Sequence, residues 1–158
     1  MQPKYLIAFI GCMATIIAPV AASPVDKRQN ASLRYCANLF NIAACIAGRG
    51  HADVATEAAS NLFPSNTLHN GKGDAYRHCY WNARMAIDIG VTKAKAISDN
   101  HEIDSVNPPE ETAMDLANNE TGRTIGVAAA GATKAARYIS AEAECYQRAN
   151  NGLLVTLI

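Results

Sequence analysis

The feature that most restricts this chain's fold is the period of its apolar residues. After residue 29 they recur at spacings of three and four along an alanine-rich sequence. No stretch alternates β-branched and polar residues as a half-buried strand would. The pattern predicts an all-α fold, a small disulfide-stapled bundle of about five to six helices. With 158 residues, 49% of them apolar, the chain can bury a single core. Fourteen basic residues balance fourteen acidic ones with no run of Lys or Arg, which argues against a protein held on nucleic acid by phosphate neutralisation.

Residues 1–22 read as a secretory signal peptide. Lys4 precedes an apolar run from Tyr5 to Val20, and the small residues Val20 and Ala22 stand three and one positions before a cut after Ala22. The run holds Gly11, Thr15 and Pro19 and falls short of the roughly 20 apolar residues of a membrane span, so no anchor is expected once it is removed. Residues 23–28 form a short pro-segment ending in the dibasic pair Lys27-Arg28, a kexin-type processing site. Residues 29–158 are then the mature extracellular domain. Asn30-Ala31-Ser32 and Asn119-Glu120-Thr121 are N-glycosylation sequons.

Cys12 leaves with the signal, and Cys36, Cys45, Cys79 and Cys145 remain. In a secreted chain without a CxxC pair they predict two disulfides rather than a zinc site. A first helix is expected over residues 32–47, capped by Ser32, with Leu33, Cys36, Leu39, Phe40, Ala43, Ala44 and Ala47 along one buried side. On such a helix Cys36 and Cys45 stand about 13 Å apart at 1.5 Å per residue, so each is expected to reach Cys79 or Cys145 instead.

Further helices are expected over residues 52–62 before Pro64, over 74–89 before Gly90, and over 92–101. Another starts at Asn107-Pro108-Pro109-Glu110, where cap, proline and acidic first turn follow in the order a helix start prefers, and runs to Gly122 or beyond. A last one covers 132–149. Residues 64–73 read as a loop able to line a cleft. The tail residues Leu153, Leu154, Val155, Leu157 and Ile158 are expected to pack on the bundle.

The chemistry concentrates in three clusters. In GDAYRHCYWN, Asp74, His78 and Asn82 fall at i, i+4 and i+8 on one helical face, with Arg77 and Trp81 beside them. Asp99-Asn100-His101-Glu102 offers an imidazole with carboxylates. Glu111, Asp115 and Asn118 share a third face near Asn119, Glu120 and Arg123. Facing helices that present such groups build bundle metal sites or acid/base pairs. A divalent ion, zinc or calcium, would take Asp74, His78, His101 and Asp115 as ligands. His78, Arg77, Asp115, Glu102 and Arg123 are the catalytic candidates, and Trp81, Asn82, Asn118 and Asn119 the substrate contacts. The competing reading is a buried polar network in which Asp74 caps its helix and Arg77 and Arg123 pair with Asp99 and Glu102. His51 and His69 are expected in solvent, Tyr76 and Tyr80 in the core, and Lys93 and Lys95 on a wet helix face.

The motifs GDAYRHCYWNARMA, SDNHE and EETAMDLANNETGRTIG resemble an uncharacterised helical domain family of secreted fungal and bacterial proteins. The resemblance covers about residues 72–126. It implies that Asp74, Arg77, His78, Trp81, Asn82, Asp99, His101, Glu102, Asp115, Asn118, Asn119 and Arg123 belong to one site. Arg77-His78 and the aromatics after it also look similar to the helix of small secreted phospholipases A2. That family has a calcium-binding Asp where this chain has Cys79. Together these readings predict a secreted, metal-assisted hydrolase of a phosphodiester, phospholipid or related small molecule. The alternative is a non-enzymatic effector or toxin-like protein that meets a protein target.

Overall fold

The computed structural model describes residues 30–158; the predicted signal peptide, pro-segment and processing site lie outside the described residues. Six α-helices and no strand occur among the described residues: α1 (Ala31–Cys36), α2 (Ile42–Leu62), α3 (Lys72–Ile89), α4 (Val91–Asp104), α5 (Pro109–Ala128) and α6 (Lys134–Asn150). A 3-10 turn, Ser65–Thr67, joins α2 to α3. The expected all-α bundle is what forms. α3 is its centre, packed on α2, α4, α5 and α6, and it supplies the buried Ala75, Tyr76, Cys79, Tyr80, Trp81, Ala83 and Met85.

The helix ends follow local chemistry. Gly90 closes α3 at φ 84°, a conformation that a side chain disfavours. Pro109 opens α5 with Glu110 and Glu111 in the first turn. The Thr133 hydroxyl accepts the Ala136 N–H at 3.1 Å to cap α6.

The expected helix over residues 32–47 is instead broken after Cys36. Asn38 Oδ1 accepts the Phe40 N–H at 3.0 Å, and Asn41 Nδ2 donates to the Tyr35 carbonyl at 3.1 Å. These side chains carry a turn over residues 37–41 in place of helical bonds. The turn folds α1 back on the start of α2, bringing the Cys36 and Cys45 Cα atoms to 5.9 Å, and they bond to each other. The expected pairing of these cysteines with Cys79 or Cys145 is thereby overturned. Cys79 on α3 and Cys145 on α6 form the second bridge. Leu33, Leu39 and Phe40, expected inside, are exposed. α2 runs through Gly48 and Gly50 and merges the two expected helices.

Of the apolar tail only Leu154 is buried. The rest is held by polar bonds: the Leu157 N–H donates to the Asn70 carbonyl at 2.8 Å, and Asn118 exchanges bonds with the Val155 backbone at 2.9 and 3.0 Å.

α3 and α5 cross closely at two glycines. A Cβ built on Gly122 would lie 2.1 Å from the Cys79 carbonyl oxygen, and one on Gly126 2.4 Å from that of Ala83. Only hydrogen at these positions lets the two backbones approach so closely. The polar side chains beside the glycines are consequently pressed against those of α3.

Candidate metal centre

α3 turns Asp74, His78 and Asn82 toward α5, which answers with Asp115, Asn119 and Arg123; all six are buried. α4 adds the buried Ser98 and Glu102. At the centre is the His78 ring. Its Nε2 lies 3.1 Å from Asp115 Oδ1 and 3.6 Å from Asp74 Oδ1. One ligand atom from each of Asp74, His78 and Asp115 lies within 4.8 Å of the others, which is a group able to hold a metal ion. The second Asp74 oxygen accepts the Asn70 N–H at 2.7 Å, which ties the start of α3 to the preceding loop.

Hydrogen-bond polarity assigns the His78 tautomer. Arg123 can only donate, and its Nη1 bonds Asn82 Oδ1 at 3.1 Å. Asn82 Nδ2 therefore faces Asn119 Oδ1, at 2.6 Å. Asn119 Nδ2 then donates to Glu102 Oε1 at 2.9 Å. What remains for His78 Nδ1, 3.2 Å from Asn119 Oδ1, is to donate. The neutral ring thus carries its lone pair on Nε2, directed at the two aspartates. Metal-bound histidines commonly have this arrangement, with the second ring nitrogen donating to an oxygen that is itself held.

Charge at the site follows burial. Burial pushes the His78 pKa well below its ordinary value, and the Arg77 charge pushes it further; the Asn119 bond only partly opposes this. Burial and then the neighbouring Glu102 and Asp74 carboxylates lift Asp115 to about 7. Glu102 is raised, again mainly by burial, with the Asn119 bond working against the shift. A cation among these groups would relieve the crowding of negative charge. Here Arg77 serves: its Nη2 lies 2.6 Å from both Asp74 Oδ1 and His78 Nε2. Its side chain is 29% exposed, so it stands between the buried carboxylates and solvent.

Two cavities flank the network. One of about 480 Å³ is lined by Arg77, Trp81, His101 and the Cys36–Cys45 bridge among others. The other, of about 780 Å³, lies between α4 and α5 and reaches Glu102 and Asp99.

Several expected site residues have other places. His101 is exposed; its ring meets the edge of Trp81 at 5.4 Å, and it is not part of the ligand group. Arg123 is buried against Asn82, Ser98 and Glu120 and orients the network from behind, so it meets neither Asp99 nor Glu102. Asn82 and Asn119 are fully buried and hold His78 where no substrate reaches them. Asn118, equally buried, holds the tail. Burial leaves no room for a glycan on Asn119 in this fold. Trp81 lines the smaller cavity while its indole N–H donates to the Gly48 carbonyl at 2.9 Å. Asp99 pairs with Lys95 on its own helix.

His51, expected in solvent, is buried between Asp88 at 3.0 Å and Arg84 at 3.1 Å. His69 is exposed, as expected. The sequence reading passed over Ser98 and Asn70. Ser98 opens the SDNHE motif without being read as a site residue; Asn70 precedes Gly71 and adopts φ 61°, an Asn-Gly signal that could have marked it.

Residues 35–151 match a domain of unknown function (DUF6973), and the chain belongs to that family. No solved structure matches the chain.

Proposed function

We propose that this member of the DUF6973 family is a secreted, metal-assisted hydrolase acting on a phosphodiester, phospholipid or related anionic ester. The observation that carries the reading is the meeting of two acceptors: the His78 Nε2 lone pair and Asp115 Oδ1, a buried oxygen with no hydrogen-bond donor, lie 3.1 Å apart. Such a pair needs a cation or a proton between its members. The separations of 3.1 and 3.6 Å from Nε2 to the carboxylate oxygens bracket the roughly 3.3 Å ligand-to-ligand edge of a tetrahedral site with bonds of about 2.0–2.1 Å. One imidazole with two carboxylates suits zinc or a similar first-row ion better than calcium, which prefers an all-oxygen shell.

A divalent ion supplies Lewis acidity, polarising an ester oxygen and lowering the pKa of water toward 7. The chain's own residues do the rest. Asp74, His78 and Asp115 are the ligands. Asn119, Asn82 and Glu102 fix the His78 ring and its protonation. Arg77, at the boundary of the 480 Å³ cavity, binds an anionic substrate oxygen when it swings outward, and Trp81 bounds the same cavity. Two disulfides suit an extracellular setting.

A second reading, the non-enzymatic binding protein, is favoured by one contact. Arg77 already sits between Asp74 and His78, so two of the three groups are satisfied without an ion and only Asp115 Oδ1 is left, for a proton to occupy. The readings predict opposite consequences for Arg77→Ala. If the carboxylates are ligands, removing the competing guanidinium tightens zinc binding, measured by calorimetry on the mature chain, while lowering turnover on any ester found to be cleaved. Equal or absent zinc binding in wild type, Arg77→Ala and Asp115→Asn would refute the metal assignment.

A further inference from the structure

One wall of the 480 Å³ cavity is held differently from the others. α2, α3 and α4 line it with residues such as Gly48, Trp81 and His101, whereas Ser32 and Cys36 reach it from α1. No residue of α1 is buried, so this six-residue helix has little apolar surface to hold it on the bundle. Its two ends are fastened by other means. The Asp104 carboxylate at the end of α4 accepts the Ala31 and Ser32 N–H groups at 2.7 and 2.9 Å. At the other end the Cys36–Cys45 bridge ties α1 to α2.

The two disulfides differ in their access to solvent. Cys79 and Cys145 are fully buried between α3 and α6, while Cys36 and Cys45 are half-buried and line the cavity. A thiol in solution therefore reaches the Cys36–Cys45 bond without the bundle unfolding, and the other bond only after it has opened. Helix polarity also favours one direction of attack. Cys45 is the fourth residue of α2, near the positive end of that helix's dipole, and Cys36 is the last residue of α1. The Cys45 thiolate is thus the better leaving group.

From these features we infer that α1 is a redox-released strap across the candidate substrate cavity: reduction of Cys36–Cys45 frees α1 and opens the cavity, while Cys79–Cys145 keeps the bundle together. The reductant is a dithiol. One of its thiolates attacks Cys36 Sγ and displaces Cys45 as a thiolate, leaving a mixed disulfide on Cys36. The second thiolate of the reductant then attacks the reductant's own sulfur in that bond, and Cys36 leaves as a thiolate. Two electrons pass to the chain, the two protons of the dithiol end on Cys36 and Cys45, and the reductant departs as an internal disulfide. What remains on α1 is the pair of Asp104 bonds and the Asn41 bond to the Tyr35 carbonyl. These are too few to order a chain end that buries nothing. The side of the cavity that α1 closes then opens, and with it a path to Arg77.

The inference rests on the proposed function for the purpose of the cavity, since it assigns regulation to that same site, yet the opening itself does not require the metal. Trp81 is the only tryptophan of the chain and lines the cavity, so its fluorescence reports the strap directly. The test treats the mature chain with dithiothreitol at neutral pH without denaturant. New thiols are alkylated and located by peptide mass analysis, while acrylamide quenching of Trp81 and far-ultraviolet circular dichroism are followed. The expected result is alkylation of Cys36 and Cys45 alone, a rise in acrylamide quenching, and loss of no more helical signal than α1 contributes. Cys36→Ser/Cys45→Ser should show the raised quenching without dithiol and no further change when it is added. Alkylation of all four cysteines together overturns the inference, as does quenching that stays unchanged once Cys36 and Cys45 are modified. Collapse of the helical signal on that modification also overturns it, because a strap must open without unfolding the bundle. Asp115→Asn should lose zinc but respond to dithiothreitol as wild type does, so failure of the metal reading and failure of the strap are separate outcomes.

Discussion

Gly122→Ala sets two known effects against each other. On a helix alone the change is favourable, because alanine in a helix interior is about 1 kcal/mol better than glycine. Gly122, however, faces α3 with its Cβ position 2.1 Å from the Cys79 carbonyl oxygen and 2.8 Å from the carbonyl carbon. These are backbone atoms, which no rotamer change can move aside. Relief requires α5 to retreat from α3 by about 1 Å, a disturbance of the kind that costs roughly 1–3 kcal/mol in overpacked cores. The same retreat stretches the bonds that cross this interface, Asn82 to Asn119 and Arg123 to Asn82. Each buried partner left unsatisfied costs about 1–3 kcal/mol more. The net expectation is a loss of roughly 3 kcal/mol or more, on the order of 10 °C in Tm for a domain of this size. Gly50→Ala is the control: it lies in α2 with nothing within 4 Å of its Cβ position, so it should gain up to about 1 kcal/mol. Urea unfolding of the two variants measures both signs. A Gly122→Ala protein as stable as wild type would refute the close crossing and with it the geometry of the site.

Other perturbations test separate parts of the structure. Replacing Cys79 and Cys145 by Ala opens a loop 66 residues long and should cost about 4 kcal/mol, against about 2.5 kcal/mol for Cys36 and Cys45, which are nine apart; denaturant midpoints that reverse this order would contradict the pairing. Asp115, raised to about 7 in the fold against an ordinary 3.8, binds its proton more tightly folded than unfolded. Its stabilising contribution is therefore present below about pH 3.8 and lost as pH rises through 7. Asp115→Asn should thus raise the Tm of chelator-treated protein at pH 8, change it little at pH 3.5, and abolish zinc binding. His51, lowered mainly by burial, has the opposite sign. Its neutral form is favoured in the fold, so its contribution is lost as pH falls below 6.5, and His51→Gln should flatten the acid limb of the pH–Tm curve.

How far the sequence reading reached depended on whether the determinant was local. Gly90 and Pro109 act through their own backbone or nearest turn, and the helix ends they specify were legible; the last helix, expected from residue 132, instead starts at Lys134 behind the Thr133 cap. The four-residue spacing of Asp74, His78 and Asn82 likewise fixed a shared face before any partner was known. The break after Cys36 was hidden because residues 32–47 keep a helical apolar spacing, while two asparagine side chains carry the turn. That single break reversed the disulfide pairing and turned an expected core stripe outward. Depth was hidden too. Nothing in the spacing of α5 says that Gly122 and Gly126 bring it onto α3, and this approach converts Asn82, Asn119 and Arg123 from expected substrate or catalytic groups into buried supports. His101 fell on the wrong side for the same reason, since the face an α4 residue presents is decided by packing against its neighbours.

The supports themselves make a last prediction. Two ends fix the polarity of the chain from Arg123 through Asn82 and Asn119 to Glu102: an arginine that only donates and a carboxylate that only accepts. Either end alone suffices to hold Asn119 Oδ1 toward His78 Nδ1. Glutamine in place of either residue can donate or accept, so Arg123→Gln or Glu102→Gln singly should leave the lone pair on His78 Nε2. Removing both ends still leaves the His78 carbonyl, which accepts from Asn82 Nδ2 at 3.2 Å, and Arg77 Nη2, a pure donor 2.6 Å from His78 Nε2 that needs the lone pair there. Asn82 and Asn119 are therefore expected to flip together, presenting an amide donor to His78 Nδ1 and moving the ring proton to Nε2, only when Arg77→Ala is added. The proton then occupies the position a metal would need. In the Arg77→Ala background a double-mutant cycle of Arg123→Gln and Glu102→Gln on zinc affinity should be non-additive, with a coupling of about 1–3 kcal/mol between residues that do not touch. Long-range ¹⁵N–¹H spectra of the His78 ring at pH 8 should show the Nε2-protonated tautomer only in the triple variant. If the two single losses simply add, or if either single variant already shifts the tautomer, the polarity chain does not set the ring, and its role is reduced to tying three helices together.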